Sequence, residues 1–323
     1  MTHAIRIHKT GGPEVLQWEE VELGEPGPGA IRLRHTAVGL NFIDVYHRTG
    51  LYPVPLPFIP GMEGAGTVES VGPGVTDLKP GDRVAYAGAL GGYTEARLIP
   101  ADRVVKLPAG IADETAAAMM LQGMTVQYLI RRVYPVKAGD TILIHAAAGG
   151  VGLILCQWAS ALGATVIGTV SSEEKAALAR ANGCHHTILY TQEDFTARVL
   201  EMTGGAKLPV VYDSIGKDTF MKSLDCLRPR GLMVTFGQSS GPVGPLDLGI
   251  LAQKGSLCVT RPTLQSFIAT KAELQETAKD LFDVVQSGKV KIAVNQTYAL
   301  KHAAEAHADL EARRTTGSTV LKV

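Results

Sequence analysis

The sequence has 323 residues, long enough for two domains that each bury a core, and a working cleft between them is the expectation. Its 31 Lys and Arg balance its 31 Asp and Glu, and the pI is near 7.1, so no overall field recruits nucleic acid or an anionic membrane. The expected partner is a small molecule. Cys156, Cys184, Cys226 and Cys258 lie far apart and form no C-x-x-C, which argues against a disulfide framework and a zinc knuckle and for reduced thiols in a cytoplasm. Met1-Thr2-His3-Ala4-Ile5-Arg6 lacks the order of a signal peptide, and no apolar run approaches the roughly 18 residues of a membrane span.

In chain order, the first hundred or so residues read as short β-runs, among them Ile31 to Arg34, Gly66 to Val71 and Arg83 to Tyr86, separated by Pro-Gly and Gly-Asp turns. Helix formers dominate from Glu114 to Val133. From Thr141 to Pro262 strand runs alternate with helical patterns, the mark of βαβ units around a parallel sheet. Candidate strands are Thr141 to His145, Thr165 to Val170, Thr187 to Tyr190, Val210 to Tyr212, Gly231 to Phe236 and Ser256 to Thr260, which suffice for the doubly wound order 3-2-1-4-5-6. After Arg261 come an amphipathic helix around Lys271 to Gln286, another around Ala303 to Arg313, and a terminal strand Thr319 to Val323 that is free to rejoin the first module.

The turn after the first of these strands, Ala147-Ala148-Gly149-Gly150-Val151-Gly152, reads as a dinucleotide fingerprint with its first glycine replaced by Ala147. Gly149 and Gly152 keep the roles of close approach to a pyrophosphate and close helix packing, and Gly150 adds clearance. Ala147 then requires a turn with negative φ at that position. The next helix sets Val151, Leu155, Trp158 and Leu162 along one stripe, and its free N-terminal N–H groups suit an anion. At the end of the second strand an NAD site usually carries Asp or Glu, whereas Ser171 and Ser172 stand here, followed by Lys175. The absence of a repelling carboxylate points to NADPH. Lys175 either binds the 2′-phosphate or balances Glu173 and Glu174 on a solvated helix face; a cation in a first helical turn meets an unfavourable dipole, which favours the first reading.

The chain as a whole resembles the zinc-free quinone oxidoreductase branch of the medium-chain dehydrogenase/reductase superfamily. The resemblance is carried by Gly11 to Leu16, Gly39-Leu40-Asn41-Phe42-Ile43-Asp44, Pro60-Gly61-Met62-Glu63-Gly64-Ala65-Gly66, Pro80-Gly81-Asp82-Arg83-Val84, Ala146 to Gly152 and Tyr212-Asp213-Ser214-Ile215-Gly216. It implies an α/β fold with a GroES-like β-rich catalytic domain built from residues 1–124 and 263–323, and a Rossmann domain over 125–262 with a doubly wound parallel six-stranded sheet. A-x-G-x-x-G is this branch's usual loop, and a homodimer joined through the nucleotide-binding domains is implied as well. Further NADPH contacts carried over are Phe42, Tyr128, Gly150, Val151, Tyr190, Ser214, Gly237, Val259, Thr260, Arg261 and Arg313, with Arg314 able to replace Arg313. Tyr190 stacks on the adenosine end or joins Lys175 at the phosphate.

The zinc-dependent members of the superfamily hold their catalytic metal with two cysteines and a histidine. Asn41, Met62 and Leu121 stand at the matching positions, and an amide, a thioether and an alkyl group do not make a zinc shell. The reaction then rests on placing nicotinamide near an easily reduced acceptor such as a quinone. Asn41, Tyr46, Tyr52 and Gln122 are the candidate donors to the acceptor oxygen, Tyr46 alternatively touching the cofactor. Glu63 and Asp44 read as hydrogen-bonded carboxyls that shape the site, and His145 as a satisfied core or loop-anchoring residue. Two rivals accompany NADPH-dependent quinone reduction: reduction of enone or alkenal double bonds, and a non-catalytic NADPH-binding role, crystallin-like or RNA-binding.

Overall fold

Alternating apolar positions and glycine-bearing turns fold the first third of the chain into sheet, as a computed structural model describing residues 1–323 shows. β1 (Thr2–Arg6) and β2 (Gln17–Val21) pair antiparallel as a separate ribbon. β3 (Ala30–Leu40), α1 (Phe42–Thr49), β4 (Glu63–Val71), β5 (Arg83–Ala87), β6 (Ala96–Pro100) and β7 (Val105–Lys106) follow. Along β3 buried and more exposed residues alternate at first, then Ala37 to Leu40 are all buried, so its second half is covered on both faces. Its first half pairs with β6, from Ala30 opposite Pro100 to Arg34 opposite Ala96.

Helix formers from Glu114 onward do not make one helix. α2 (Asp113–Ala117) and α3 (Met120–Tyr128) are separate, and a wider π turn, Leu129–Val133, ends the segment. The break has a tertiary cause. Leu121 N–H donates to the Glu63 carboxyl (2.7 Å), and the Ala118 carbonyl accepts from the Ser318 hydroxyl (2.9 Å), so side chains take backbone groups that would otherwise continue the helix.

The alternating segment comprises β8 (Thr141–Ile144), α4 (Gly150–Ala161), β9 (Thr165–Val170), α5 (Glu173–Ala181), β10 (His186–Leu189), α6 (Phe195–Met202), β11 (Leu208–Asp213), α7 (Phe220–Asp225), β12 (Leu227–Thr235), α8 (Gly249–Gln253) and β13 (Cys258–Thr260). These strands form one parallel sheet in the order β10-β9-β8-β11-β12-β13, the doubly wound arrangement of the six candidates. Leu143, Ile167, Ile188, Val211 and Met233 from five of the strands share a core with Phe195, Val199, Phe220 and Leu224 of the helices. Each such burial stabilises by roughly 1.5–3 kcal/mol before entropy is counted. The single stripe expected on α4 is corrected by the structure: Leu153, Ile154 and Cys156 are buried beside Leu155 and Trp158, while Val151 and Leu162 are only half-buried, so the helix is apolar on most of its circumference.

The chain ends with α9 (Lys271–Gln286), β14 (Val294–Ala299), α10 (Ala303–Glu311) and β15 (Ser318–Lys322). β15 pairs antiparallel with the second half of β3, from Thr319 opposite Leu40 to Lys322 opposite Ala37, so the terminus does rejoin the first module. By packing, one unit comprises Met1–Met124, Phe267–Gln286 and Ile292–Val323, and the other Thr125–Ser266 and Ser287–Lys291.

Candidate active site

In the parallel-sheet unit the candidate cofactor residues gather at the carboxyl ends of the strands, where ligands of such sheets bind. After β8 the chain turns through Ala146, whose φ is +56, and Gly149 caps α4 in extended conformation. Ala147 itself has no positive φ; the left-handed residue stands one position earlier. Gly149 N–H closes the turn on the Ala146 carbonyl at 3.0 Å. A Cβ on Gly152 would lie 2.3 Å from that same oxygen and 2.6 Å from the Ala147 carbonyl, so only glycine lets α4 sit this close to the loop. The result is a helix N-terminus of free N–H groups under a close-fitting turn, suited to a phosphate.

His145 holds the loop from beneath. It is 1% exposed, Nδ1 lies 2.9 Å from Thr169 Oγ1, and Nε2 lies 2.8 Å from Ser223 Oγ. Ser223 donates its own proton to the Thr219 carbonyl, so Nε2 carries the hydrogen and Nδ1 accepts from Thr169. Burial lowers its pKa, and a neutral ring with both nitrogens bonded is an anchor.

At the end of β9, Ser172 is the N-cap of α5, its hydroxyl accepting from Lys175 N–H at 3.3 Å, and Ser171 and Lys175 are half-buried beside it. Tyr190 follows β10 and is 41% exposed. After β11, Asp213 was not among the sequence candidates, yet its Oδ1 accepts from Ile215 N–H (2.7 Å), Gly216 N–H (3.2 Å) and Thr219 Oγ1 (2.9 Å), and so shapes the Ser214 loop. The Asp-Ser-Ile-Gly spelling of an Asx turn was the available signal. Arg261, after β13, donates to the Thr235 hydroxyl (3.0 Å) and the Gly237 carbonyl (2.8 Å), tying Val259 and Thr260 to the end of β12. Tyr128 is buried in this unit, whereas Phe42 and Arg313 belong to the other one. Arg313 follows α10 with φ +60, and its neighbour Arg314 is engaged with Asp309.

The other unit holds a buried polar network instead of a backbone loop. Asn41 caps α1, and its own N–H donates to the Asp44 carboxyl at 2.9 Å. Its side-chain amide lies 2.6 Å from Glu63 Oε1 on one side and 3.0 Å from Gln122 Nε2 on the other. Gln122 continues to Ser318 Oγ at 2.7 Å. Asn41 and Gln122 are each 8% exposed, and Glu63 is fully buried with two neutral N–H groups as its partners. Burial raises Glu63 to about 8, Asn41 and Leu121 holding it back and the Asp44 charge adding a little. Gly39 makes room for it: a Cβ there would lie 2.3 Å from both Glu63 Oε1 and the Ala117 carbonyl.

Asp44 heads a second chain. Arg48, 1% exposed, lies 2.8 Å from the Glu311 carboxylate and donates to His307 Nδ1 at 3.3 Å. That donation leaves the ring proton on Nε2, which points to the Tyr93 hydroxyl at 3.2 Å, and Tyr93 donates to Asp44 Oδ2 at 3.1 Å. Burial and the Arg48 charge press His307 down to about 3, so the ring stays neutral. Burial lifts Asp44 to about 7 against donors that include Asn41 and Tyr93. Tyr46, 7% exposed, contacts Tyr52 edge to face at 5.1 Å, and its carbonyl accepts Tyr52 N–H at 3.0 Å. All four candidate donors, Asn41, Tyr46, Tyr52 and Gln122, thus lie in one unit. Arg48, Tyr93, His307 and Ser318 carried no local signal that would have joined them to it.

Residues 27–109 match the family described as alcohol dehydrogenase GroES-like domain, and residues 150–287 match zinc-binding dehydrogenase. The chain is 57% identical over 323 residues to a quinone oxidoreductase of Pseudomonas aeruginosa, with 99% of each covered. It is 51% identical over 333 aligned positions to a 2-haloacrylate reductase of a Burkholderia species, again with 99% of each covered. The solved quinone oxidoreductase of Escherichia coli, complexed with NADPH, superposes with a TM-score of 0.98 at 52% identity, covering 99% of this chain and all of that one. On full-length identity of this order the chain belongs to the quinone oxidoreductase family of the medium-chain dehydrogenase/reductase superfamily.

Proposed function

We propose that this chain is an NADPH-dependent quinone reductase that works without zinc, by hydride or electron transfer. The observation that carries the reading is the glycine-lined turn before α4 together with a β9 end that offers Ser171, Ser172 and Lys175 and no carboxylate. The loop fits the cofactor: Gly152 lets α4 pack directly against the turn, where a Cβ would strike two loop carbonyls, and the N–H groups of Gly150 and Val151 stand at the start of a 12-residue helix. Ser172 and Lys175 would hold the 2′-phosphate, with Tyr190 beside them, and the Ser214, Gly237 and Thr260 segments would line the rest. NADPH, when bound, supplies two reducing equivalents at its nicotinamide.

The protein's part is placement and donation. The Asn41 and Gln122 amides and the Tyr46 and Tyr52 hydroxyls would orient the acceptor's oxygen; Asn41, Met62 and Leu121 supply no metal shell, so polarisation of that oxygen falls to hydrogen bonds. A homodimer joined through the parallel-sheet unit agrees with β13 forming one of the two edges of that sheet, the other being β10. Four free cysteines suit a reducing cytoplasm.

The 2-haloacrylate reductase relative favours one second reading, reduction of an activated carbon–carbon double bond. A panel of quinones and enones with NADPH, followed by loss of nicotinamide absorbance, separates the two. Turnover of quinones with kcat/KM well above that of any enone supports the first, and the reverse order replaces it by the second.

A further inference from the structure

Glu63, Asn41, Gln122, Ser318 and the Ala118 carbonyl form a single file of hydrogen bonds at 2.6, 3.0, 2.7 and 2.9 Å. Ser318 stands within bonding distance of two oxygens, Gln122 Oε1 and the Ala118 carbonyl, and its hydroxyl has one proton to give. In one direction Asn41 donates to an ionised Glu63, Gln122 donates to Asn41, and Ser318 donates to Gln122. The Ala118 carbonyl then loses its donor. In the other direction a protonated Glu63 donates to Asn41, Asn41 to Gln122, Gln122 to Ser318 and Ser318 to Ala118; Asp44 N–H gives up the Asn41 side chain that caps it and keeps the Asn41 backbone carbonyl at 3.0 Å. Passing between them takes a half-turn of each amide, which exchanges its oxygen and nitrogen in place.

A mixed file would set two oxygens or two N–H groups face to face, so the amides reverse together. The 2.6 Å contact between Glu63 and Asn41 is shorter than the usual N–H···O range and falls within the O–H···O range.

We propose that Glu63 is a positioning residue whose protonation sets the direction of this file, and thereby which atoms of Asn41 and Gln122 are turned toward an acceptor. The reversal rests on the hydrogen bonds alone; its effect on the acceptor rests on the function proposed above. When the file reverses, the spare N–H of Asn41 moves from the Glu63 side to the Gln122 side, and that of Gln122 moves from the Asn41 side to the Ser318 side. Both residues keep a small exposed edge.

No cation is bonded to Glu63. Around it stand Asp44 from α1, Tyr86 from β5, Tyr93 beyond β5, and His35 of β3, which burial holds neutral at about 3. Arg97 of β6 lies over the Tyr86 ring at 5.0 Å. On α2, Asp113 is engaged with Arg83 and Glu114 with Lys322 of β15. Asp44, pressed up less than Glu63, ionises first, and its charge delays Glu63. The reversal therefore falls on the alkaline side of neutrality.

The test uses the intact protein, with NMR of the Glu63 carboxyl and of the side-chain NH2 groups of Asn41 and Gln122 across pH 6 to 10. One shared midpoint near 8 is expected for all three. In Glu63→Gln, whose amide can donate to Asn41 while accepting from Leu121, the NH2 signals should stay at their low-pH positions throughout. NH2 signals that do not move in the wild type, or that still move in Glu63→Gln, overturn the reversal. For the acceptor, KM for a quinone should change by roughly three- to tenfold across the same midpoint in the wild type, the size of one neutral hydrogen bond, and be flat in Glu63→Gln. A shared NMR midpoint with no step in KM retains the reversal and removes Asn41 and Gln122 from the acceptor site.

Discussion

The two units build their proposed sites from different materials. The parallel-sheet unit uses backbone: a left-handed Ala146, a glycine-filled turn and a helix N-terminus, carried by a sheet whose Leu143, Ile167 and Val211 are fully buried. The GroES-like unit uses side chains, burying Glu63, Asp44, Arg48 and His307 in bonded files. A backbone site tolerates little change in volume and is indifferent to pH. A site of buried titratable groups tolerates shape changes that keep the bonding and responds to protons.

The largest expected effect tests the backbone half. Gly152→Val should cost about 3 kcal/mol or more, because its Cβ would meet carbonyl oxygens 2.3 and 2.6 Å away, and should abolish NADPH binding. A thermal melt lower by about 6–12 °C is expected, and a melt unchanged within error with normal fluorescence titration would break the comparison. Next, Arg48→Leu leaves Glu311 and His307 without their donor and should cost about 3 kcal/mol in urea unfolding. NADPH affinity should stay within about threefold, since Arg48 bonds Gly11, His307 and Glu311 and no residue of the glycine turn or of the β9 end. Loss of binding in this variant would show the two halves to be coupled.

The pH dependence of stability follows from the same groups. Glu63 and Asp44 are raised in the folded chain from 4.5 and 3.8 to about 8 and about 7, so folding binds protons, and their stabilisation is full at low pH and lost as pH rises through those values. A fall on the order of 4 kcal/mol between pH 6 and 9 is expected, reduced in Glu63→Gln. His35 and His307 act in the opposite sense: their pKa values are depressed to about 3, so their stabilisation is present above 6.5 and is lost as pH falls toward 3. A stability curve flat from pH 6 to 9 would mean that both carboxyls stay ionised throughout.

Smaller effects concern specificity and turnover. Lys175→Ala should erode a preference for NADPH over NADH by about 1.5–3 kcal/mol, read as the ratio of kcat/KM values, and equal values in the wild type would remove Ser171, Ser172 and Lys175 from the phosphate site. Smallest, Tyr46→Phe and Tyr52→Phe should each lower kcat with a good quinone by less than roughly tenfold, since the reduced acceptor's oxygens can take protons from water. A hundredfold loss in either, with folding and NADPH binding intact, would point to the double-bond chemistry, which needs a fixed donor.

Local pattern determined much of this protein. The six parallel strands, the helix Lys271–Gln286, the glycine turn before α4 and the C-terminal strand each depend on periodicity or turn chemistry within a few residues, which a single sequence displays. Tertiary structure alone decided the rest. Asn41, Glu63, Gln122 and Ser318 come from the cap of α1, β4, α3 and β15, and their meeting depends on β3 pairing with both β4 and the distant β15. Nothing in the letters from Glu114 to Val133 showed that the helix breaks, because the groups that break it, Glu63 and Ser318, lie 58 and 200 positions from the backbone they bind. Buried side-chain hydrogen bonds have no sequence period, so they become visible only when the fold brings their partners within 3 Å or so.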